Sequence, residues 1–145
     1  MMLCAATAGL NVASIYKQFA AGAPALAGDS FQSLVGASGA FLNGVGRLFW
    51  GVVSDKIGFK NAFFVMTALQ AVIHALYPLG ANSKPLFLVL TSMCYFCLAG
   101  SFSMTPPAMQ RIFGPRNGAM IYGLAYSAFG VAGVGGSYLT KVRTK

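Results

Sequence analysis

From Ser33 to Thr140 the sequence is written as apolar runs separated by short turns: 33–54, 61–81, 85–104 and 118–140, with a shorter apolar segment over 1–16. Each of the four longer runs holds the roughly 20 residues with which a helix crosses the hydrocarbon of a bilayer. Only 8% of the residues are charged, against about 25% in soluble domains. A water-exposed surface cannot be covered with so few charges. The expected fold class is therefore all-α integral membrane, a multi-pass bundle of four to five transmembrane helices in a lipid bilayer. Residues 1–145 form a single transmembrane region with no soluble domain.

The turns carry the charge. A formal net charge of +8 would suggest nucleic acid on a soluble protein. Here the basic residues sit mainly between apolar runs, so lipid headgroups and topology account for them and no nucleic-acid partner is expected. Lys56, Lys60, Arg111 and Arg116 fall on one side of an alternating bundle. Lys17, Lys84 and the tail cations Lys141, Arg143 and Lys145 fall on the other. With the tail discounted, the Lys56 side is the more basic and is expected to be cytoplasmic. No basic stretch precedes the first apolar segment, so it reads as the end of a longer membrane protein and not as a secretory signal.

The run 33–54 is two-faced. On one helix, Gly36, Ala40, Asn43, Arg47, Gly51 and Ser54 recur at steps of three or four and share a side. Leu34, Phe41, Val45, Leu48, Phe49, Val52 and Val53 occupy the other. A small, polar face backed by a greasy one suits a helix between a protein interior or wet pathway and lipid. Arg47 lies eight residues inside the run from Asp55, ~12 Å along the axis. A guanidinium at that depth costs at least ~2.5–3.5 kcal/mol on insertion scales, so it faces a cavity or a partner. The two acids of the chain, Asp29 and Asp55, are not inside any run. Arg47 thus reads either as an anion-binding group able to grip a carboxylate through paired bonds, or as a structural arginine paired elsewhere. Asn43, one turn away, either shares that ligand or bonds a neighbouring helix.

The run closes on a charged, glycine-framed turn, Gly51-x-x-x-Asp55-Lys56-x-Gly58-x-Lys60. This resembles the loop signature of the major facilitator superfamily, in which Gly, three residues, Asp, Arg or Lys, one residue and Gly precede two basic residues; Phe59 stands in place of the first of those two. The resemblance implies a loop that latches one conformational state, with Asp55 docking on a neighbouring helix terminus. The alternative is an ordinary solvated turn.

Within that superfamily the chain resembles the oxalate/formate antiporter-like family, with the monocarboxylate porters as neighbours. The likeness rests on Ser14-Ile15-Tyr16-Lys17, on Asn43-Gly44-x-Gly46-Arg47-x-x-Trp50-Gly51-x-x-Ser54-Asp55-Lys56-x-Gly58, on Phe113-Gly114-Pro115-Arg116-Asn117 and on Tyr122-Gly123-Leu124-x-Tyr126-Ser127. It implies helices seven to eleven of twelve, a partial half-bundle, with the remainder of the transporter as the missing partner. It also implies a carboxylate substrate, with Arg47 matching a substrate-contacting arginine. Bacterial oxalate exchangers of this kind carry a further lysine in the eleventh helix, at the position of Phe129. Without that cation a single carboxylate, or an aromatic or otherwise less charged substrate, is a better fit than oxalate.

The remaining polar and aromatic residues each carry two readings. Tyr122, Tyr126, Phe129 and Gly133 share one face of 118–140, beside a stripe of Gly123, Ser127, Gly130 and Val134. They form either an aromatic wall of a pathway or aromatic fill between close helices. His74, with Thr67, Gln70 and Tyr77 on its side, reads as an interhelical hydrogen-bonding group ahead of a proton relay. Cys94-x-x-Cys97 lies in an apolar run and reads as two small packing residues. Pro106 and Pro107 are expected to break or kink the run 85–104 near its end, with a loop over Gln110 to Asn117.

The expected function is secondary transport of a small organic anion, a monocarboxylate or related carboxylate, by alternating access, with Arg47, Asn43, Tyr126 and Phe129 at the substrate and Gly51, Asp55, Lys56, Gly58 and Lys60 in the loop. The alternative is a truncated, non-transporting membrane protein or an interaction subunit packing through glycine-rich helices. One His and two Asp assemble no catalytic or metal cluster, so neither an enzyme nor a cofactor is expected.

Overall fold

The computed structural model describes residues 28–143, with Gly9, Val12, Ala13, Tyr16, Lys17 and Ala20 before them; within 28–143 the side chains of 81, 115–116, 125, 128–129 and 131–143 are not described. The expected segment 1–16 therefore lies mostly outside the described residues. Helix α1 spans Asp29–Ile57. Helix α2 spans Phe59–Leu76 and tightens into a 3-10 turn over Tyr77–Asn82. Helix α3 spans Lys84–Arg143 and is interrupted once, at Gly114. Phe59–Gly80 and Lys84–Gly114 are long and apolar enough to cross a membrane.

Both sharp reversals are made by single glycines. Gly58 has φ 83° and ψ 152°, and Gly114 has φ 80° and ψ 160°. That region is essentially closed to residues with a Cβ. At Gly58 the chain leaves α1, and the Gly58 carbonyl accepts the amide of Ala62 to start α2. At Gly114 the following proline bars a helical conformation, and Pro115 then suits the first turn of a new helix.

The expected loop Gln110–Asn117 thus shrinks to one residue, and the expected break at Pro106 and Pro107 does not occur. Each proline withholds a ladder hydrogen bond, yet helical backbone continues through both. The hydroxyl of Thr105 binds back to the Ser101 carbonyl at 2.6 Å, and that of Ser103 reaches α1. Two other boundaries shift as well. Residues 29–32, ahead of the apolar run 33–54, form the first turn of α1, where Asp29 complements the helix dipole. The run 61–81 ends as α-helix at Leu76, where Pro78 enters the tighter turn.

After Gly114 the chain doubles back on α3. A Cβ at Gly118 would stand 2.7 Å from the Gln110 Cα, and the Phe102 and Tyr126 rings pair at 5.6 Å. The two arms are antiparallel about Gly114. The described chain is therefore an up-down-up-down set of helical segments, with the Gly58 and Gly114 reversals at one end and the 3-10 turn at the other.

Helix α1 meets the first arm of α3 through notches. The Tyr95 ring fills the place where Gly39 lacks a side chain, and the Phe96 carbonyl and Ala99 do so at Gly46. In the opposite direction Gly100 makes room for Trp50, which is 2% exposed and donates its indole N–H to the Phe96 carbonyl at 3.1 Å. The rings of Phe49, Trp50 and Phe96 pack together beside these notches. Helix α2 adds Ala62, Met66 and Ile73 to a core shared with Val12, Cys94, Cys97 and Met104. Both cysteines are buried and unbridged, as packing residues should be.

Candidate functional site

The buried stripe of α1 is Val35, Gly39, Gly46, Trp50 and Ser54. It is rotated by about one residue from the small, polar stripe that the sequence marks out. Trp50 turns the helix, because its indole finds both a notch and an acceptor on α3. The greasy side stays outward, with Phe41 72% and Leu48 75% exposed. The rotation leaves Ala40, Gly44 and Arg47 open, and none of these is in the core-facing row.

Arg47 stands at this open edge. Its guanidinium carbon lies 5.8 Å from the centroid of the Phe102 ring on the first arm of α3, a cation–π distance. Phe102 pairs with Tyr126 on the second arm at 5.6 Å, and Tyr126 with Tyr122 at 4.9 Å. Three helical segments thus contribute one cation and three rings to a single cluster. The Ser103 hydroxyl donates to the Arg47 carbonyl at 2.7 Å, which ties the two helices at this level. Among the described residues the one ion pair joins Asp55 to Arg111, so no carboxylate neutralises Arg47. A guanidinium held over an aromatic face, with two phenol groups close by and no internal counter-ion, can bind an anion. Gly123 and Gly130 flank the tyrosines, and a Cβ at either would meet no described atom within 4 Å. The second arm is open there.

The other expected site residues take separate places. Asn43 is half-buried, and its amide donates to the Tyr95 carbonyl at 3.0 Å, an interhelical bond. Tyr126 joins the cluster. Phe129 lies on the second arm of α3, and its side chain is outside the described residues. Phe102 was not among the sequence candidates. It sits in an unbroken apolar run, and only the mirror register about Gly114, twelve residues to either side, brings it to Tyr126. His74 Nδ1 lies 2.8 Å from the Gln70 carbonyl on its own helix, and the Tyr77 hydroxyl lies 3.1 Å from that of Thr91.

At the end with the glycine reversals, Arg111 Nη2 approaches Asp55 Oδ1 at 3.4 Å, with the two side chains 70% and 71% exposed. Asp55 lies three residues before Gly58, and Arg111 three before Gly114. Gly51 belongs to the helix above this turn, and a Cβ there would stand 3.3 Å from the Ser103 hydroxyl. Lys56 and Lys60 are exposed on either side of Gly58.

The chain is similar to carriers. It is 34% identical over 110 residues to apicoplast pyruvate carrier 1 of Toxoplasma gondii, a match covering 75% of this chain and 20% of that protein. It is 35% identical over 98 residues to the oxalate:formate antiporter of Oxalobacter formigenes, covering 67% of this chain and 23% of the antiporter. Apicoplast pyruvate carrier 2 of Toxoplasma gondii matches at 31% over 103 residues, 70% of this chain and 16% of the carrier. The chain spans about a fifth of the length of these curated relatives. No family model and no solved structure matches it.

This is a carrier-like chain. The relatives are named as two pyruvate carriers and an oxalate:formate antiporter.

Proposed function

We propose that the chain is part of the second six-helix half of a major facilitator-type secondary transporter, embedded in a membrane and carrying a small organic anion by alternating access. The observation that carries this reading is the uncompensated Arg47 guanidinium seated on Phe102 beside Tyr122 and Tyr126, on an open helix edge. A cation at that depth in a membrane needs an anion or a polar cavity. The relatives named for pyruvate, and for oxalate and formate, supply the class of anion. The open edge would face the other six-helix half, with substrate near the midplane between them.

In this reading Arg47 grips one carboxylate and Tyr126 orients it, while the rings exclude water. Asn43 holds α1 to α3 and steadies the site. Phe129 stands at the sequence position where a second cation would be required for a dicarboxylate, so a substrate with one carboxylate, or one otherwise less charged, is preferred. The Gly51, Asp55, Lys56, Gly58 and Lys60 turn lies on the cytoplasmic side, and the Asp55–Arg111 pair helps hold one state.

The test is uptake of radiolabelled formate, lactate, pyruvate and oxalate by the full-length protein, wild type against Arg47→Gln at matched expression. A hydrogen bond to a charged group contributes about 1.5–3 kcal/mol, so uptake should fall roughly ten- to a hundredfold. Unchanged uptake would make Arg47 structural. Oxalate taken up as well as the single carboxylates would remove the one-carboxylate preference.

A further inference from the structure

A groove of about 650 Å³ runs along the outer side of α2, away from the Arg47 cluster, lined by residues of the stretch Phe59 to Ala71 and by Met109. Phe59, Phe63, Phe64 and Met109 form its walls, and Ala68 and Ala71 its shallow floor. Its polar lining residues are Lys60, Asn61 and Thr67. Two of those are turned onto nearby backbone: the Asn61 amide donates across the Gly58 turn to the Ile57 carbonyl at 3.1 Å, and the Thr67 hydroxyl to the Phe63 carbonyl of its own helix at 2.8 Å. What remains is an apolar channel with one exposed ammonium, Lys60, at its mouth.

We propose that this groove holds one acyl chain of an anionic phospholipid, with the headgroup phosphate on Lys60. Length supports the acyl chain. Lys60 to Ala71 is eleven residues, ~16 Å of helix at 1.5 Å per residue, and one leaflet is about half of the ~30 Å hydrocarbon thickness. The groove thus runs from headgroup level to the midplane and stops.

Charge supports the anionic headgroup. Arg111 is engaged by Asp55, while Lys60 and the exposed Lys56 form no ion pair among the described residues. Phosphate at the mouth would satisfy the ammonium. The inference rests on the proposal that the chain spans a membrane, but not on the identity of the substrate.

The test uses the purified full-length protein and two phospholipids with the same chains, phosphatidylglycerol and phosphatidylcholine, scored by retention of bound lipid in native mass spectrometry. Wild type is expected to retain phosphatidylglycerol preferentially. One cation near a headgroup is worth about 1 kcal/mol, so Lys60→Gln should lower that preference about fivefold. Ala68→Phe, at an exposed position where folding is not at stake, should fill the floor and lose both lipids. Retention unaffected by either change would overturn the proposal.

A nitroxide at Ala68→Cys in proteoliposomes separates the other occupant. High oxygen accessibility is expected, and a shielded label would mean that a protein helix covers the groove and would overturn the proposal. A wild type without lipid selectivity but with uptake intact would sink the groove alone. Release of the protein from membranes by alkaline extraction would sink the membrane reading beneath both.

Discussion

Gly46 has no side chain because the Phe96 carbonyl and the Ala99 methyl already occupy the place where one would stand, at 2.8 and 2.9 Å. One of those atoms is backbone and cannot swing aside. Gly46→Ala should therefore push α1 off α3 and cost about 1–3 kcal/mol, read as a lower melting temperature of the detergent-solubilised full-length protein. At the Arg47 cluster the expected effect is on substrate. A cation–π contact at an open site is worth about 0.5–1 kcal/mol, so Phe102→Leu should raise KM for the anion roughly two- to fivefold and spare the fold. An unchanged KM would detach Phe102 from the site. Arg47 is legible in the sequence because a charge in an apolar run has so few physical explanations. Phe102 is not, because a phenylalanine there is indistinguishable from the other apolar residues of its run. The burial of Trp50 is hidden for a related reason. Helical periodicity marks which residues share a face but not which face meets a neighbour, and a notch at Gly100 decides that.

The helices themselves are largely readable, and their ends less so. Apolar length marks α1, α2 and the start of α3 within a few residues, whereas the first arm of α3 runs on past the expected end at 104 to Gly114. The break expected at Pro106 and Pro107 weighs a missing amide above the packing of the segment that carries it. Gly114 outranks both prolines because it combines freedom of φ with a proline behind it. Gly58→Ala and Gly114→Ala place a Cβ at φ 83° and φ 80°, where strain is of order 1–3 kcal/mol. Each should lower the melting temperature. The two effects should be roughly additive, because a Cβ at either glycine meets no described atom within 4 Å and so cannot couple one turn to the other. The Asp55–Arg111 pair is exposed, and such pairs contribute ~0–1 kcal/mol and weaken with salt. Arg111→Gln should barely change melting. If the pair holds one state, the same variant should change the uptake rate at saturating anion more than KM, and the charge swap Asp55→Arg with Arg111→Asp should restore part of it. A rate unaffected by Arg111→Gln would leave the turn as a solvated loop.

At the level of the molecule, the proposed pathway lies between this half and chain beyond these 145 residues. Liposomes containing only this polypeptide are expected to show no anion uptake above empty liposomes; measurable, saturable uptake would contradict a pathway shared between two halves. The two glycine reversals bear on how such a half would move. Each turns the chain within one residue, the Asp55–Arg111 pair joins α1 to α3 beside them, and Ser103 binds the Arg47 carbonyl further along. There is no spare length at this end for one helix to slide along another. The end behaves as a stiff plate, so motion that starts here has to tilt several helices together, and whatever leans against the plate from outside is carried with it.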